Sequence, residues 1–358
     1  MKKKFLVLEN GKIFEGKGFG FDGDTVGEIV FTTGVGGYTE ILTDPSFYGQ
    51  IVMHTFPLVG NFGLAKEDFE SSKPQLKGYV VREYCDTPSN FRCEMTLDEF
   101  LKQYEIPGIY GIDTRELTEI IRENGCMNAA VVNEVTDEVL SAVKNYRISD
   151  AVKTVSDNTV KEYPAQGKEK YRVALLNYGV TESLIATLTK RGCHVTCLPY
   201  NTTAEEVFKL SPDGIMLSNG PGDPKDNSLC IEQIKKLIGK KPIFGVGMGH
   251  ELMALALGGD TFKMPHGHRG GNPVKNVETG RVFITSQSHG YAVDIEKLPK
   301  DAVVTHVNVN DNTCEGMDYP SLKAFTLQFP PEACPGPTEA MKMTDKFCKM
   351  MEDEKVCR

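Results

Sequence analysis

Four strand–helix units follow one another between residues 171 and 258, and this alternation limits the fold more than any other feature of the chain. YRVALLNYG, CHVTCLPY, GIMLSNGPGDP and KPIFGVG are short apolar runs. TESLIATLTKRG, TAEEVFKLSP, CIEQIKKLIGK and HELMALALGG, which follow them in turn, carry apolar residues at helical spacing. Parallel strands need crossover helices, and helices on both faces bury a strand on both sides, so such strands read as continuous apolar runs. The pattern predicts an α/β domain, a parallel-type sheet flanked by helices, with ligands at the carboxyl ends of the strands.

The first part of the chain lacks that rhythm. FLVLENGKIFEG reads as two strands around an Asn10-Gly11 turn, and GEIVFTTG, QIVMHTFP and GYVVREY read as further strands. TLDEFLKQYEI opens on Thr96 as a helix cap. IDTRELTEIIRENG is a helix capped by Asp113 or Thr114, with Leu117, Ile120 and Ile121 at helical spacing and a stop at Gly125. A length of 358 residues suits two domains. The expected division is a sheet-rich α+β domain over 1–133, a short helix and polar linker over 134–170, and the α/β domain over 171–358.

A net charge of -9 argues against nucleic acid and anionic membranes as partners. No apolar run approaches a membrane span, and the basic N-terminus precedes only four apolar residues, Phe5 to Leu8, too few for a secretory signal. The expected location is therefore cytoplasmic. The ten cysteines form no CxxC pair and read as reduced thiols. His266 and His268 in PHGHRGG have no carboxylate close in sequence and read as a surface turn, so no metal site is expected.

Two strand ends carry the chemistry. LSNGPGDP, residues 217–224, follows an apolar strand with glycines around a proline, which leaves backbone N–H groups bare for an oxyanion or phosphate. Alone it fits a sharp turn equally well. KPIFGVGMGHELMALALGG enters a turn with glycines at 245, 247 and 249 and then a helix. That is the layout of a nucleophile elbow, where a cysteine at the middle position gains thiolate character from the helix N-terminus. Here the middle position is Gly247, which has no side chain to attack with. A dinucleotide-binding loop is the rival reading, but His250 stands where the third glycine of that pattern belongs, and the loop comes late in the α/β unit.

The order LSNGPGDP, G-V-G-M-G-H-E, ITSQSHGYAV, QFPPEACPGP resembles the class I glutamine amidotransferases, whose elbow reads G-I/V-C-L/M-G-H-Q and whose last motif reads Q-x-H-P-E. GEIVFTTGVGGYTEILTDPSFYGQIV, SNFR at 89–92 and GIDTRELTEIIRENG resemble the N-terminal domain of the carbamoyl-phosphate synthase small subunit. The resemblance spans nearly the whole chain. It implies a subunit that hydrolyses glutamine and passes ammonia to a large subunit, where ATP and Mg belong; this chain needs no cofactor of its own. It also implies a cysteine nucleophile, a histidine base and a glutamate that orients the histidine, with backbone donors as oxyanion hole.

Carried across residue by residue, the resemblance divides. Glu332 keeps the orienting position, Gly220 and Gly222 keep the substrate loop, and Met248 supplies the N–H after the nucleophile position. Ser46 matches a glutamine contact of the N-terminal domain. His289, Gly290 and Tyr291 match the N-H-G-F/Y segment, with Ser288 in place of the asparagine. Against these, Gly247 replaces the nucleophile, Pro330 replaces the base, and Glu251 replaces a substrate-binding glutamine, with a charge expected to repel the substrate carboxylate. In LNYGVTES, Asn177, Thr181 and Ser183 stand where the family shows an acid, a lysine and an asparagine.

Members of such a triad act as a unit, so losing two predicts loss of hydrolysis by many powers of ten. The expectation is a subunit without its own glutaminase activity, partnered by an ammonia-using large subunit that makes carbamoyl phosphate for arginine or pyrimidine synthesis. Two alternatives are an active glutaminase with an unrecognised nucleophile, Cys334 being the candidate, and a free-standing protein that binds glutamine.

Overall fold

A computed structural model describes residues 2–332 and 338–356, so Cys334 and Cys357 lie outside the described residues. The chain divides into two compact units, Met1–Ser149 with Pro265–Gly270, and Asp150–Met264 with Gly271–Arg358.

The first unit is built on strands β1 (Lys3–Leu8), β2 (Ile13–Gly20), β3 (Thr25–Thr32), β4 (Gln50–His54), β5 (Leu58–Val59), β6 (Gly78–Val81), β7 (Glu83–Tyr84), β8 (Pro107–Tyr110) and β9 (Met127–Val132). Seven of them close a barrel in the order β1-β2-β8-β6-β4-β3-β9, and β5 pairs with β7 apart from it. The Asn10-Gly11 turn joins β1 to β2 as the sequence predicts, in a register that sets Val7 opposite Ile13. Closure of the barrel was not expected. It follows from β9, which pairs with both β1 and β3 and so removes the free edges.

Helices α1 (Tyr38–Thr43), α2 (Leu97–Gln103), α3 (Thr114–Asn124) and α4 (Asp137–Asn145) accompany the barrel. Thr96 and Glu99 form a reciprocal capping box at α2. At α3, Asp113 accepts from the amides of Arg115 and Glu116, and Gly125 ends the helix at φ 84. Leu117 and Ile121 of α3 pack with Leu6, Ile29, Ile51 and Ile109 of the strands.

The second unit holds α5 (Ala151–Val155), β10 (Lys161–Tyr163), β11 (Tyr171–Asn177), α6 (Glu182–Thr189), β12 (Cys193–Pro199), α7 (Ala204–Lys209), β13 (Gly214–Leu217), α8 (Ser228–Leu237), β14 (Ile243–Val246) and α9 (Met248–Ala256). It continues through β15 (Thr261–Asn276), β16 (Val282–Val293), β17 (Val303–Asn308), β18 (Cys314–Tyr319), β19 (Ala324–Leu327) and α10 (Lys342–Val356). One ten-stranded sheet runs β10-β12-β11-β13-β14-β19-β18-β17-β15-β16. Strands β12, β11, β13, β14 and β19 are parallel neighbours, as the apolar runs predict.

Alternate residues of these strands face two helical layers. Ala174, Leu176, Ile215 and Leu217 pack with α7, α8 and α9, while Val173, Leu175 and Met216 pack with α6 and α10. Burial on both faces is why no period of two is visible in them.

Two local expectations give way. The polar stretch read as linker supplies β10, which pairs antiparallel with the edge of β12 through Lys161, Glu162 and Tyr163. Its charged side chains suit a solvated edge strand, which composition alone does not separate from a loop. PHGHRGG is not a surface turn but part of the long strand β15, with His268 buried. All eight cysteines among the described residues are free thiols, and Cys193, Cys197, Cys230 and Cys314 are buried.

Candidate active site

The elbow forms where β14 meets α9. Gly247 is the N-cap of α9 at φ 52 and ψ -111, a conformation that an L-residue adopts only under strain. Its neighbours are glycines for steric reasons. A Cβ at Gly249 would stand 2.3 Å from Leu217 O, and one at Gly245 would stand 2.8 Å from Gly249 O. Position 247 has room: a Cβ there would lie 3.3 Å from Asn219 Cβ and 3.8 Å from Gln328 O. The turn is held by Gly247 N–H to Leu327 O at 2.9 Å and Gly249 N–H to Ser218 O at 3.0 Å. The amides of His250 and Glu251 both donate to Gly247 O, at 2.9 and 3.1 Å. The Met248 amide opens the first turn, where helical N–H groups lack an intrahelical acceptor. It is thus placed as a donor beside position 247.

The glycine-proline loop after β13 lies against the same turn. A Cβ at Gly220 would come within 2.3 Å of Tyr178 O, and Gly222 sits at φ 88 with its Cβ position 2.8 Å from Ala151 Cβ. Close backbone packing, not only an oxyanion role, therefore demands both glycines. Asn177 Oδ1 accepts from the amides of Gly179 and Val180 at 3.0 and 2.9 Å and shapes the loop after β11. Four strand ends converge here, as expected for a ligand site in a parallel sheet.

Past β19 the chain carries Gln328, Pro330 and Glu332. Pro330 is half-buried and has neither a ring nitrogen to take a proton nor an N–H to donate. Glu332 is buried, and its Oε1 accepts from the Thr181 hydroxyl at 3.0 Å. Gln328 is buried and donates through Nε2 to Glu251 Oε1 at 3.1 Å.

Glu251 departs from expectation. It is buried, and desolvation pushes its carboxyl up to about 8; the Gln328 hydrogen bond opposes this and the charge of Asp223 adds to it. At neutral pH the group is mainly protonated. The anion expected to repel a substrate carboxylate is thus largely absent, and the neutral acid resembles the glutamine it replaces in shape and in offering one donor and one acceptor. His250 is fully buried and held well below its usual range, to about 3, by desolvation. Its Nδ1 shares a 2.8 Å hydrogen bond with Thr326 Oγ1, and its Nε2 has no partner among the described residues.

Ser288, His289, Gly290 and Tyr291 lie on β16. His289 Nδ1 meets Tyr291 O at 2.7 Å and Nε2 meets Gln287 Oε1 at 2.9 Å. Gln287 donates to the buried Glu315 at 2.8 Å, and Glu315 O accepts from Gln328 N–H at 2.9 Å, so this segment is tied to the strand end that carries Pro330 and Glu332. Ser46 belongs to the first unit, in the turn Pro45–Phe47, where its amide donates to Asp44 Oδ1 at 2.8 Å. Thr181 and Gln328 are the site residues to which sequence reasoning assigned no role. Thr181 meets a partner 151 positions away, and no local pattern reports such a contact.

The family model of the carbamoyl-phosphate synthase small chain, CPSase domain, matches residues 6–131, and that of glutamine amidotransferase class-I matches residues 174–350. A carbamoyl phosphate synthase small chain of Clostridium perfringens is 49% identical over 352 residues, covering 98% of this chain and 99% of the relative. The small chain of Listeria monocytogenes is 49% identical over 356 residues, covering 98% and 97%. That of Fusobacterium nucleatum is 49% identical over 358 residues, covering 99% of each. With both halves matched in order and relatives aligned end to end, this chain belongs to the carbamoyl-phosphate synthase small-chain family.

Proposed function

We propose that this chain is a small subunit that no longer hydrolyses glutamine and serves a large subunit which draws on free ammonia, with ATP and Mg bound on that partner. The observation that carries the reading is the elbow itself: a glycine at the position from which a nucleophile would project, beside an otherwise intact turn. Pro330 removes the proton acceptor as well. What remains can bind and polarise, through the Met248 amide and the loop at Gly220 and Gly222, but a carbonyl held there meets no attacking group. The neutral His250 is not a substitute base. It is enclosed, bonded to Thr326, and has no nucleophile to deprotonate.

The product of the assembly is carbamoyl phosphate, for arginine or pyrimidine synthesis, made in the cytoplasm. Among the described residues no helix is long and apolar enough to cross a membrane. The test is carbamoyl-phosphate formation by the chain mixed with its cognate large subunit. Ammonium chloride should support turnover, and glutamine freed of contaminating ammonia should not. Turnover on glutamine would overturn the reading and direct attention to Cys334.

A further inference from the structure

We infer that Thr181 is the positioning residue that now holds Glu332, so that an imidazole restored at position 330 would have to compete with it for the carboxylate. This rests on the proposal that Pro330 marks a lost base, and extends it to the residue that answered the loss. A buried carboxylate without donors is costly, and removing one partner leaves the other exposed to that cost. Glu332 has lost the donor its position would meet in a Q-x-H-P-E motif, yet it stays buried. The Thr181 hydroxyl donates to its Oε1 at 3.0 Å, and Thr181 is itself buried, so neither partner exchanges this bond for water.

The backbone favours the pairing. Thr181 is the N-cap of α6, at φ -85 and ψ 146, but its side chain makes no cap hydrogen bond. A threonine at an N-cap ordinarily accepts from the first-turn amides. Here Asn177 supplies side-chain acceptance one turn earlier, to Gly179 and Val180, and the Thr181 hydroxyl points instead to Glu332. A residue spent on a helix cap has thus become a donor to the third member of the former triad. Replacing Gly247 and Pro330 alone would place a cysteine and an imidazole next to a carboxylate already engaged.

The test uses the full chain with histidine at 330, compared with and without Thr181→Val. The imidazole at 330 is followed by NMR titration, identified by its absence from the spectrum of the unsubstituted chain. Release of Glu332 should raise its pKa by about one unit, because a carboxylate hydrogen-bonded to an imidazole favours the charged ring. Thr181→Ser, which keeps the donor, should leave the pKa at the lower value. An unchanged or lowered pKa in Thr181→Val overturns the inference.

A second measurement needs no histidine. In the otherwise unaltered chain, Thr181→Val and Glu332→Gln are combined in a double-mutant cycle read by urea unfolding. If the two residues are one hydrogen-bonded unit, the double variant raises the unfolding constant about as much as one single variant does. Multiplication of the two single effects overturns the inference. Neither readout depends on glutamine turnover: hydrolysis by the unaltered chain would refute the functional proposal while leaving both results to stand or fall independently.

Discussion

Glu251→Gln tests whether the elbow helix carries a neutral acid. Glu251 ionises near 8 in the fold against an ordinary value of 4.5. Folding therefore takes up a proton between those pH values, and the native state loses ground as pH rises. The contribution of this group is fully present below pH 4.5 and is lost by the time the pH has passed 8. Each pH unit inside the window costs about 1.4 kcal/mol, so at pH 7 the loss relative to acid is about 3 kcal/mol. Glutamine at 251 has no proton to take up and can donate to Gln328 Oε1, which has no partner among the described residues. Urea unfolding of both proteins from pH 5 to pH 9 gives the assay. The variant should be close to the natural chain at pH 5 and increasingly more stable than it up to pH 8, with the gap constant beyond. Curves that stay parallel across this range would show that Glu251 is ionised in the native state, and the account of a neutral, glutamine-like acid would fail.

Three further predictions follow from the same geometry. Gly247→Cys should fold, because the Cβ meets nothing closer than 3.3 Å. The positive φ should cost about 1–3 kcal/mol by denaturant unfolding, and without a base the variant should show no glutamine hydrolysis in an ammonia-release assay. Gly249→Ala should be far worse: its Cβ would lie 2.3 Å from Leu217 O, and calorimetry should register a loss of several kcal/mol or no folded protein at all. On the acid side, His250 is held to about 3 and His54 and His306 to about 4 by desolvation. These neutral rings stabilise fully above pH 6.5 and less as pH falls, each by up to about 1.4 kcal/mol per unit, so urea midpoints should drop steeply between pH 6 and pH 4.

Much of this architecture could be read from patterns that act locally. The strand–helix units of the second unit appear in the sequence because a parallel strand buried on both faces must be apolar throughout, as β13 and β14 are. The elbow was visible because its glycines answer to backbone contacts within a few residues or to the next strand. The barrel of the first unit was not, since β9 closes it by pairing with strands about a hundred residues earlier. β10 was hidden for the opposite reason: an edge strand of three residues with a solvated face has the composition of a loop. The same limit governs the site. The identities of Gly247, Pro330 and Glu332 could be read directly, but the state of Glu251 depends on burial, and the hold on Glu332 depends on a threonine in another strand-end loop.

The separation between what was lost and what was kept has a physical cause. Side chains at 247 and 330 face the pocket, and their replacement by glycine and proline disturbs no hydrogen bond that the fold uses. The backbone around them is under a different constraint. Gly247 N–H bonds to Leu327 O and Gly249 N–H to Ser218 O, so the turn stitches β14 and α9 to the ends of β19 and β13. Those two strands flank β14 in the centre of the sheet. Unwinding the elbow would leave buried donors and acceptors unpaired in the core, at about 1–3 kcal/mol for each group. A chain released from catalysis can therefore change the elbow's side chain freely while its conformation stays fixed. Amide exchange separates this from a decaying site: the Gly247 and Gly249 amides should exchange as slowly as those of β13 and β14. Fast exchange at those two positions would mean that the elbow survives as a sequence pattern but no longer as a structural joint.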